Sequence, residues 1–408
     1  MGEAFESTQL AEVTCTLLCW DADASRRIRA AWEQLLAANP HASLFARPEW
    51  LAMAREVGIV ADCHVLLIAR GDTPIGLLPL QRRSRWVWEV AAPFAMDSSS
   101  FLLDARDGRD AWRAVAHWLR HQRRIAALFL GMCTEQECLA ALSEACRAEG
   151  TGLRIDTHPP TTWITLAPTW DAYLSTLDKR IRRNLRYAEA QFQRGFPRAS
   201  VEIIDTVEGS EDALTALIRL YRSRWADQAG GTIFDQPGHT EFFLRAMRWA
   251  LSRGYALLFV LQQENRILTG LCFLHVPGQT YAQAFYIGRD PQAVPAKYSP
   301  GVLVMNAAIR WCIERGLTHL QTGSGNYQYK HWLKSEDFPL WQLTLTRSRL
   351  SGTLVLGLER GGYLLRRFPL HAAYQARRLV GRLLSSPQWV LKRIRRVQDA
   401  SNGNDQGD

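Results

Sequence analysis

Two stretches of the chain share one local design. From Val65 the sequence reads VLLIARGDTPIGLLPL, and from Leu257 it reads LLFVLQQENRILTGLCFL. In each, an apolar run of β type meets a polar turn, Arg70-Gly71-Asp72-Thr73 or Gln262 to Arg266, and a second run succeeds it with a glycine inside, Gly76 or Gly270. Apolar runs joined by a short polar turn predict antiparallel hairpins. One hairpin design repeated in the two halves of a chain predicts two copies of one fold.

The segments downstream of the two hairpins strengthen the echo. After the first come WVWEVAAP and DSSSFLLD as short strands, a helix over Gly108–Arg123, the strand AALFLG and a helix over Thr134–Glu149. After the second come the strand TYAQAFYIGRD, a loop with Pro291, Pro295 and Pro300, a helix over Pro300–Arg315 stopped by Gly316, and the strand THLQTG. Helices over Asp178–Gly195, Asp212–Ala226 and Gly238–Gly254 precede the second hairpin. Each half reads as α/β (α+β), with a mixed, mostly antiparallel sheet flanked by helices. The boundary is expected between Thr151 and Trp170, where His158-Pro159-Pro160 is read as a break in regular structure, so the halves run over 1–160 and 161–350. With 408 residues, 47% of them hydrophobic, the chain has core material for both.

Residues 351–398 differ in composition. Between Arg347 and Arg396 Arg and Lys face the single acid Glu359, interleaved with apolar residues at helical spacing. This basic amphipathic tail suits an anionic membrane surface or docking on the body of the protein. Residues 399–408 are polar and expected to be disordered. The formal charge of +9 fits a phosphorylated or acidic partner, or simply a solvated basic surface.

Eight cysteines include no CxxC pair and no zinc-type Cys/His spacing, so no metal is expected and the thiols read as reduced. The N-terminus MGEAFESTQL lacks the basic and apolar segments of a signal peptide, and Glu6 breaks the myristoylation pattern. No apolar run approaches a membrane span of about 18 residues. The expectation is a cytoplasmic protein able to sit peripherally on the inner membrane.

Chemistry is suggested first by KYSPGVLVMNAAIRWCIERG, Lys297 to Gly316. Pro300 and Gly301 mark a loop turning into a helix, with Ser299 at the N-cap. The exposed N–H groups of such an end and the helix dipole cradle phosphate, and Lys297 and Tyr298 would add a charge and a hydroxyl. A plain helix cap is the blander reading of the same residues.

Taken in order, FARPEWLAMA, GLLPLQRR, DKRIRRNLRYAEAQFQRG, YSPGVLVMNAAIRWCIERG and YKHW, spread from Phe45 to Trp332, resemble the GNAT superfamily of acyltransferases. The chain looks most like its CelD/BcsL-type (cellulose biosynthesis) branch, itself similar to FemABX-type aminoacyl transferases. The resemblance implies tandem duplicated GNAT-like domains, with acetyl-CoA or another acyl-CoA as co-substrate of the second. Its pyrophosphate would lie at Lys297, Tyr298, Ser299, Gly301 and Val302. Lys330, Tyr329, Tyr286 and Asn326 become the catalytic candidates, and Arg183, Asn184, Gln283 and Tyr327 the acceptor-binding ones. Lys330 would offer charge to an oxyanion or phosphate, with Trp332 as a packing anchor. Relatives often place two acids before the Tyr-Lys, whereas this chain has Gly325-Asn326-Tyr327-Gln328-Tyr329-Lys330, without a good base near neutral pH.

Two points stay open from the residues. Gln283 and Tyr286 are three apart, so a regular strand sends them to opposite faces unless a bulge intervenes. His275 and His239 have no identifiable partner. The expected function is acyl-CoA-dependent N- or O-acyl transfer to a sugar, a polysaccharide precursor or another small polar acceptor. The alternatives are aminoacyl transfer from charged tRNA, the one nucleic acid considered, and a non-catalytic scaffold in envelope or exopolysaccharide biosynthesis.

Overall fold

The protein is seen as a computed structural model that describes residues 8–10, 12–20, 25–94, 101–134, 136–225, 231–295, 298–325, 330, 332–348 and 357. The expectations for Lys297, Asn326, Tyr327, Tyr329, the tail and the chain end lie outside these residues.

The strands are β1 (Thr8–Leu10), β2 (Val13–Cys19), β3 (Cys63–Arg70), β4 (Thr73–Arg82), β5 (Val87–Val90), β6 (Leu102–Leu103), β7 (Ala127–Cys133), β8 (Gly152–Thr165), β9 (Ala199–Ile204), β10 (Ala256–Gln263), β11 (Arg266–Leu274), β12 (Tyr281–Arg289), β13 (His319–Ser324) and β14 (Ser335–Thr346). The helices are α1 (Ser25–Ala38), α2 (Pro48–Glu56), α3 (Gly108–His121), α4 (Gln136–Glu149), α5 (Trp170–Thr176), α6 (Lys179–Gly195), α7 (Glu211–Arg224), α8 (His239–Ser252) and α9 (Pro300–Glu314).

Both expected hairpins form, β3 with β4 and β10 with β11. Their strands are buried almost throughout, because helices cover both faces of the sheet. Each turn places one residue in the left-handed region, Gly71 in the first and Glu264 in the second.

The sheet runs in the order β1-β2-β3-β4-β5-β7-β14-β8-β13-β12-β11-β10-β9, with β6 on β4. From its centre outward, β14-β7-β5-β4-β3 mirrors β8-β13-β12-β11-β10. Among the described residues each half has one parallel contact, β5 with β7 and β12 with β13. The two halves share one strand order and interlock: β14, late in the chain, lies between β7 and β8, and β8 lies between β14 and β13. Position 160 falls inside β8.

His158-Pro159-Pro160 does not break regular structure, contrary to expectation; β8 runs straight through it. Proline's fixed φ suits extended backbone, and only its missing N–H disturbs a ladder. The ladder skips there: Thr161 pairs with Phe338 and His158 with Leu340, leaving Pro159 and Pro160 opposite Pro339.

Three apolar cores result. One joins α1 and α2 to α7 and α8 across one face of both halves, with Trp32, Trp50, Phe242 and Phe243 almost wholly buried. A second lies under α3 and α4 and includes Leu343 and Leu345 of β14. The third lies under α5, α6 and α9.

Candidate active site

The site is an opening in the sheet. β12 and β13 pair only over Tyr281–Gln283 and His319–Gln321, then part. Where they part, β12 carries a bulge: Cys272 pairs with Tyr286 and Phe273 with Ala284, so Phe285 is extra. The bulge resolves the question of Gln283 and Tyr286. They pair with Leu274 and Cys272, two apart on β11, and therefore share a face.

Sharing a face does not put both at the opening. The Tyr286 ring is 4% exposed among Phe94, Tyr221, Phe234, Phe243 and Phe285, with ring centroids 4.5–6.1 Å away. Burial, and then the neighbouring Tyr221 and Cys272, pushes its phenol well above the ordinary range. It stays protonated near neutral pH and is no base. Gln283, also buried, pairs across the parallel contact with Gln321.

One wall is the N-terminus of α9. Pro300 opens the helix with its fixed φ, and Ser299 holds the N-cap position with φ +49° and no side-chain cap bond. Ser299 O accepts from Val302 N at 2.9 Å, and the Ser299 side chain itself caps no first-turn N–H. Tyr298 packs edge-on against Phe196 at 5.3 Å and closes on Gly195, where an added Cβ would lie 3.0 Å from the ring. It therefore seats the C-terminus of α6 beside the start of α9. Arg310 and Glu189, 3.6 Å apart, tie the same two helices further along. Val302 and Gly301 are half-buried in that first turn.

The opposite wall is the end of β13. Gly323 and Gly325 have φ of +75° and +97°, which glycine adopts at little cost. Thr162 Oγ1 donates to Gly323 O at 3.0 Å, and its contact with Thr322 Oγ1 is 2.6 Å. Lys330, 2% exposed, donates from Nζ to Gly323 O at 2.7 Å and to Ser324 O at 3.2 Å. The lysine thus grips the main chain of this wall. Trp332 is 42% exposed and is not the anchor it was expected to be; Leu333, 1% exposed, is, with its carbonyl accepting from Tyr173 Oη at 2.9 Å.

Arg183 and Asn184 are exposed on α6 beside exposed Arg180 and Arg186. His275 is half-buried against Trp311, with Nδ1 3.1 Å from Tyr281 O, and burial lowers its pKa. His239 lies 3.0 Å from Pro237 O. His158, which nothing in the sequence marks as a site residue, lies on β8 with Nε2 3.2 Å from Gln342 Oε1. No group of three or more potential metal ligands occurs among the described residues, and no helix among them is long and apolar enough to cross a membrane.

Residues 179–331 match the family model described as an acetyltransferase (GNAT) domain, a span from the start of α6 to just past Lys330. Among solved structures, FemX aligns with a TM-score of 0.55 at 11% identity, over 83% of this chain and 97% of FemX. L-PGS from Bacillus licheniformis aligns at 0.48 and 13% identity, over 74% and 92% of the two chains. A tandem GNAT protein from the clavulanic acid biosynthesis pathway, without AcCoA, aligns at 0.44 and 12%, over 81% and 98%. No curated protein matches the chain. Residues 179–331 are thus similar to a GNAT acetyltransferase domain, and the FemX likeness is one of fold.

Proposed function

We propose that the chain is an acyl-CoA-dependent N- or O-acyltransferase of the CelD/BcsL type, acting on a sugar, a polysaccharide precursor or another small polar acceptor. The observation that carries this reading is the parting of β12 and β13 beside the uncapped start of α9, inside the matched span. The helix N-terminus would hold the donor pyrophosphate, with Tyr298, Ser299, Gly301 and Val302 around it and Lys297 adding charge. The thioester would lie in the opening, against the gap in the ladder.

Transfer requires the acceptor nitrogen or oxygen to attack the thioester carbonyl, the C–S bond to break, and the acceptor proton to leave as the thiolate is protonated. Lys330 serves this reaction by fixing the Gly323–Ser324 wall, and proximity supplies much of the rate. Tyr286, neutral and enclosed, stabilises the bulge rather than taking the proton.

One observation favours aminoacyl transfer instead: the exposed basic face of α6, where Arg180, Arg183 and Arg186 suit an RNA backbone. Thermal denaturation with acetyl-CoA and longer acyl-CoAs separates the readings. Stabilisation by an acyl-CoA, competed by CoA, is expected. No stabilisation by any acyl-CoA, together with tRNA binding that survives physiological salt, would replace the proposal with the aminoacyl one. A peripheral membrane placement through residues 351–398 is part of the same proposal. Flotation with anionic liposomes that is unchanged on deleting them would remove it.

A further inference from the structure

The opening between β12 and β13 is charged from both faces of the sheet. Asp290 N donates to Leu268 O on β11 at 2.9 Å, so by the alternation of an antiparallel ladder the N–H and C=O groups of Ile287 and Arg289 point away from β11, into the space that β13 has left. The side chains alternate as well. Ile287 faces α9, since a Cβ added to Gly301 would meet its Cδ1 at 3.5 Å, and Gly288 faces α7, since a Cβ there would meet Tyr221 N and Leu220 C. Arg289 therefore shares the α9 face with Ile287.

Each face brings one guanidinium to this edge, and neither meets a carboxylate among the described residues. On the α9 face Arg289 is half-buried, with Nη1 enclosed and without a hydrogen-bond partner. It stands on the side where the helix N-terminus would hold the donor phosphates, whose charge it complements. On the α7 face Arg224, one turn beyond Leu220, is half-buried with Cζ 4.9 Å from the Trp225 ring centroid, and it donates from Nη1 to Ile287 O at 3.2 Å.

The other arginines in this part of α7 have acids. Arg222 Nε lies 2.7 Å from Asp235 Oδ1, and Arg219 Nη1 lies 3.9 Å from Asp290 Oδ2. Arg224 has a main-chain carbonyl instead, which accepts from one of five N–H groups and cancels none of the charge. A cation drawn half out of water calls for a counter-charge. With the donor phosphates on the α9 face, the counter-charge on the α7 face falls to the other substrate.

We propose that the acceptor is a sugar bearing a carboxylate or a phosphate, and that Arg224 binds this anion on the α7 face of the opening. Calling the anion part of the acceptor rests on the acyl-transfer reading; the anion site at Arg224 does not.

Calorimetric titration of the full chain with glucose 6-phosphate and with glucuronate, beside glucose, tests it, with and without saturating CoA to fill the α9 face. At least one of the two anionic sugars is expected to bind about tenfold or more tightly than glucose with CoA present, and which one does so separates phosphate from carboxylate. Arg224→Gln should weaken that binding about tenfold and Arg224→Lys less, while Arg219→Gln, which removes the same charge from α7, should leave it unchanged. Melting temperatures report whether each variant is folded, and if Arg224→Gln is not, the contrast between Arg224→Lys and Arg219→Gln decides. No saturable binding of either anionic sugar, affinity no better than that of glucose, binding that CoA competes away, or an equal loss in Arg219→Gln would each overturn the assignment. If no acyl-CoA binds the parent protein, the acyltransferase reading falls, and the titration without CoA still decides whether Arg224 holds an anion.

Discussion

Thr162 and Lys330 donate to the same oxygen, the carbonyl of Gly323, at 3.0 and 2.7 Å. Thr322 Oγ1 lies 2.6 Å from Thr162 Oγ1 and donates to Thr162 O at 3.2 Å. One carbonyl thus joins β8, β13 and the segment after β13. Lys330→Met should cost about 1.5–3 kcal/mol, the range for hydrogen bonds to charged groups, and Thr162→Val about 1 kcal/mol. Their effects should be non-additive by about 0.5 kcal/mol or more in a urea-denaturation cycle. Simple additivity would show that the shared oxygen does not couple them.

The start of α9 offers a substitution that separates binding from folding. An added Cβ on Gly301 meets only Ile287 Cδ1, at 3.5 Å, and a carboxylate in the first turn favours the helix. Gly301→Asp should keep the melting temperature and weaken acyl-CoA by about tenfold or more through charge repulsion. Unchanged acyl-CoA affinity would move the donor phosphates elsewhere.

Gly288 lies where α7 crosses β12. A Cβ there would sit 2.7 Å from Tyr221 N and 2.8 Å from Leu220 C, both main-chain atoms that cannot swing aside. Gly288→Ala should cost about 1–3 kcal/mol, read as a shift in the urea midpoint. A midpoint unchanged from the parent would contradict the close approach.

His64 and His275 both have pKa values lowered from the ordinary 6.5, chiefly by burial. Their protonation therefore favours the unfolded chain. Stability should be full above about pH 6.5, fall as pH drops through that value, and level off below the lowered folded values. Melting temperatures from pH 7.5 to 5 should show this, and His64→Gln with His275→Gln should flatten the slope. An equally steep slope in the double variant would assign the acid sensitivity to other groups.

The hairpins are legible in the sequence because a short polar turn between apolar runs is a local signal, and Pro300 marks the start of α9 for the same reason. The bulge at Phe285 is readable only as a condition, since nothing in TYAQAFYIGRD specifies which partner residue is skipped. Lys330 stands out through YKHW, one of the stretches that carry the resemblance; the carbonyls that receive it come from a glycine wall whose shape depends on β8. Tyr286 is drawn toward the opening in the sequence because its aromatic cage is assembled from α7, α8 and residues near Phe94, all distant along the chain. The interlocked centre is invisible there, as pairings between Gly152–Thr165 and Ser335–Thr346 depend on no neighbouring residues.

That centre also sets the order of events at the ribosome. β7 has its outer neighbour β5 early in synthesis, but its inner neighbour is β14, joined from Trp341↔Cys133 to Thr346↔Ala127. Until residues 335–346 emerge, the nascent first half holds an unpaired, largely apolar strand edge, the kind that recruits other chains. Such long-range pairing folds slowly. Truncation before β14 should therefore yield an aggregating fragment rather than a shorter working protein.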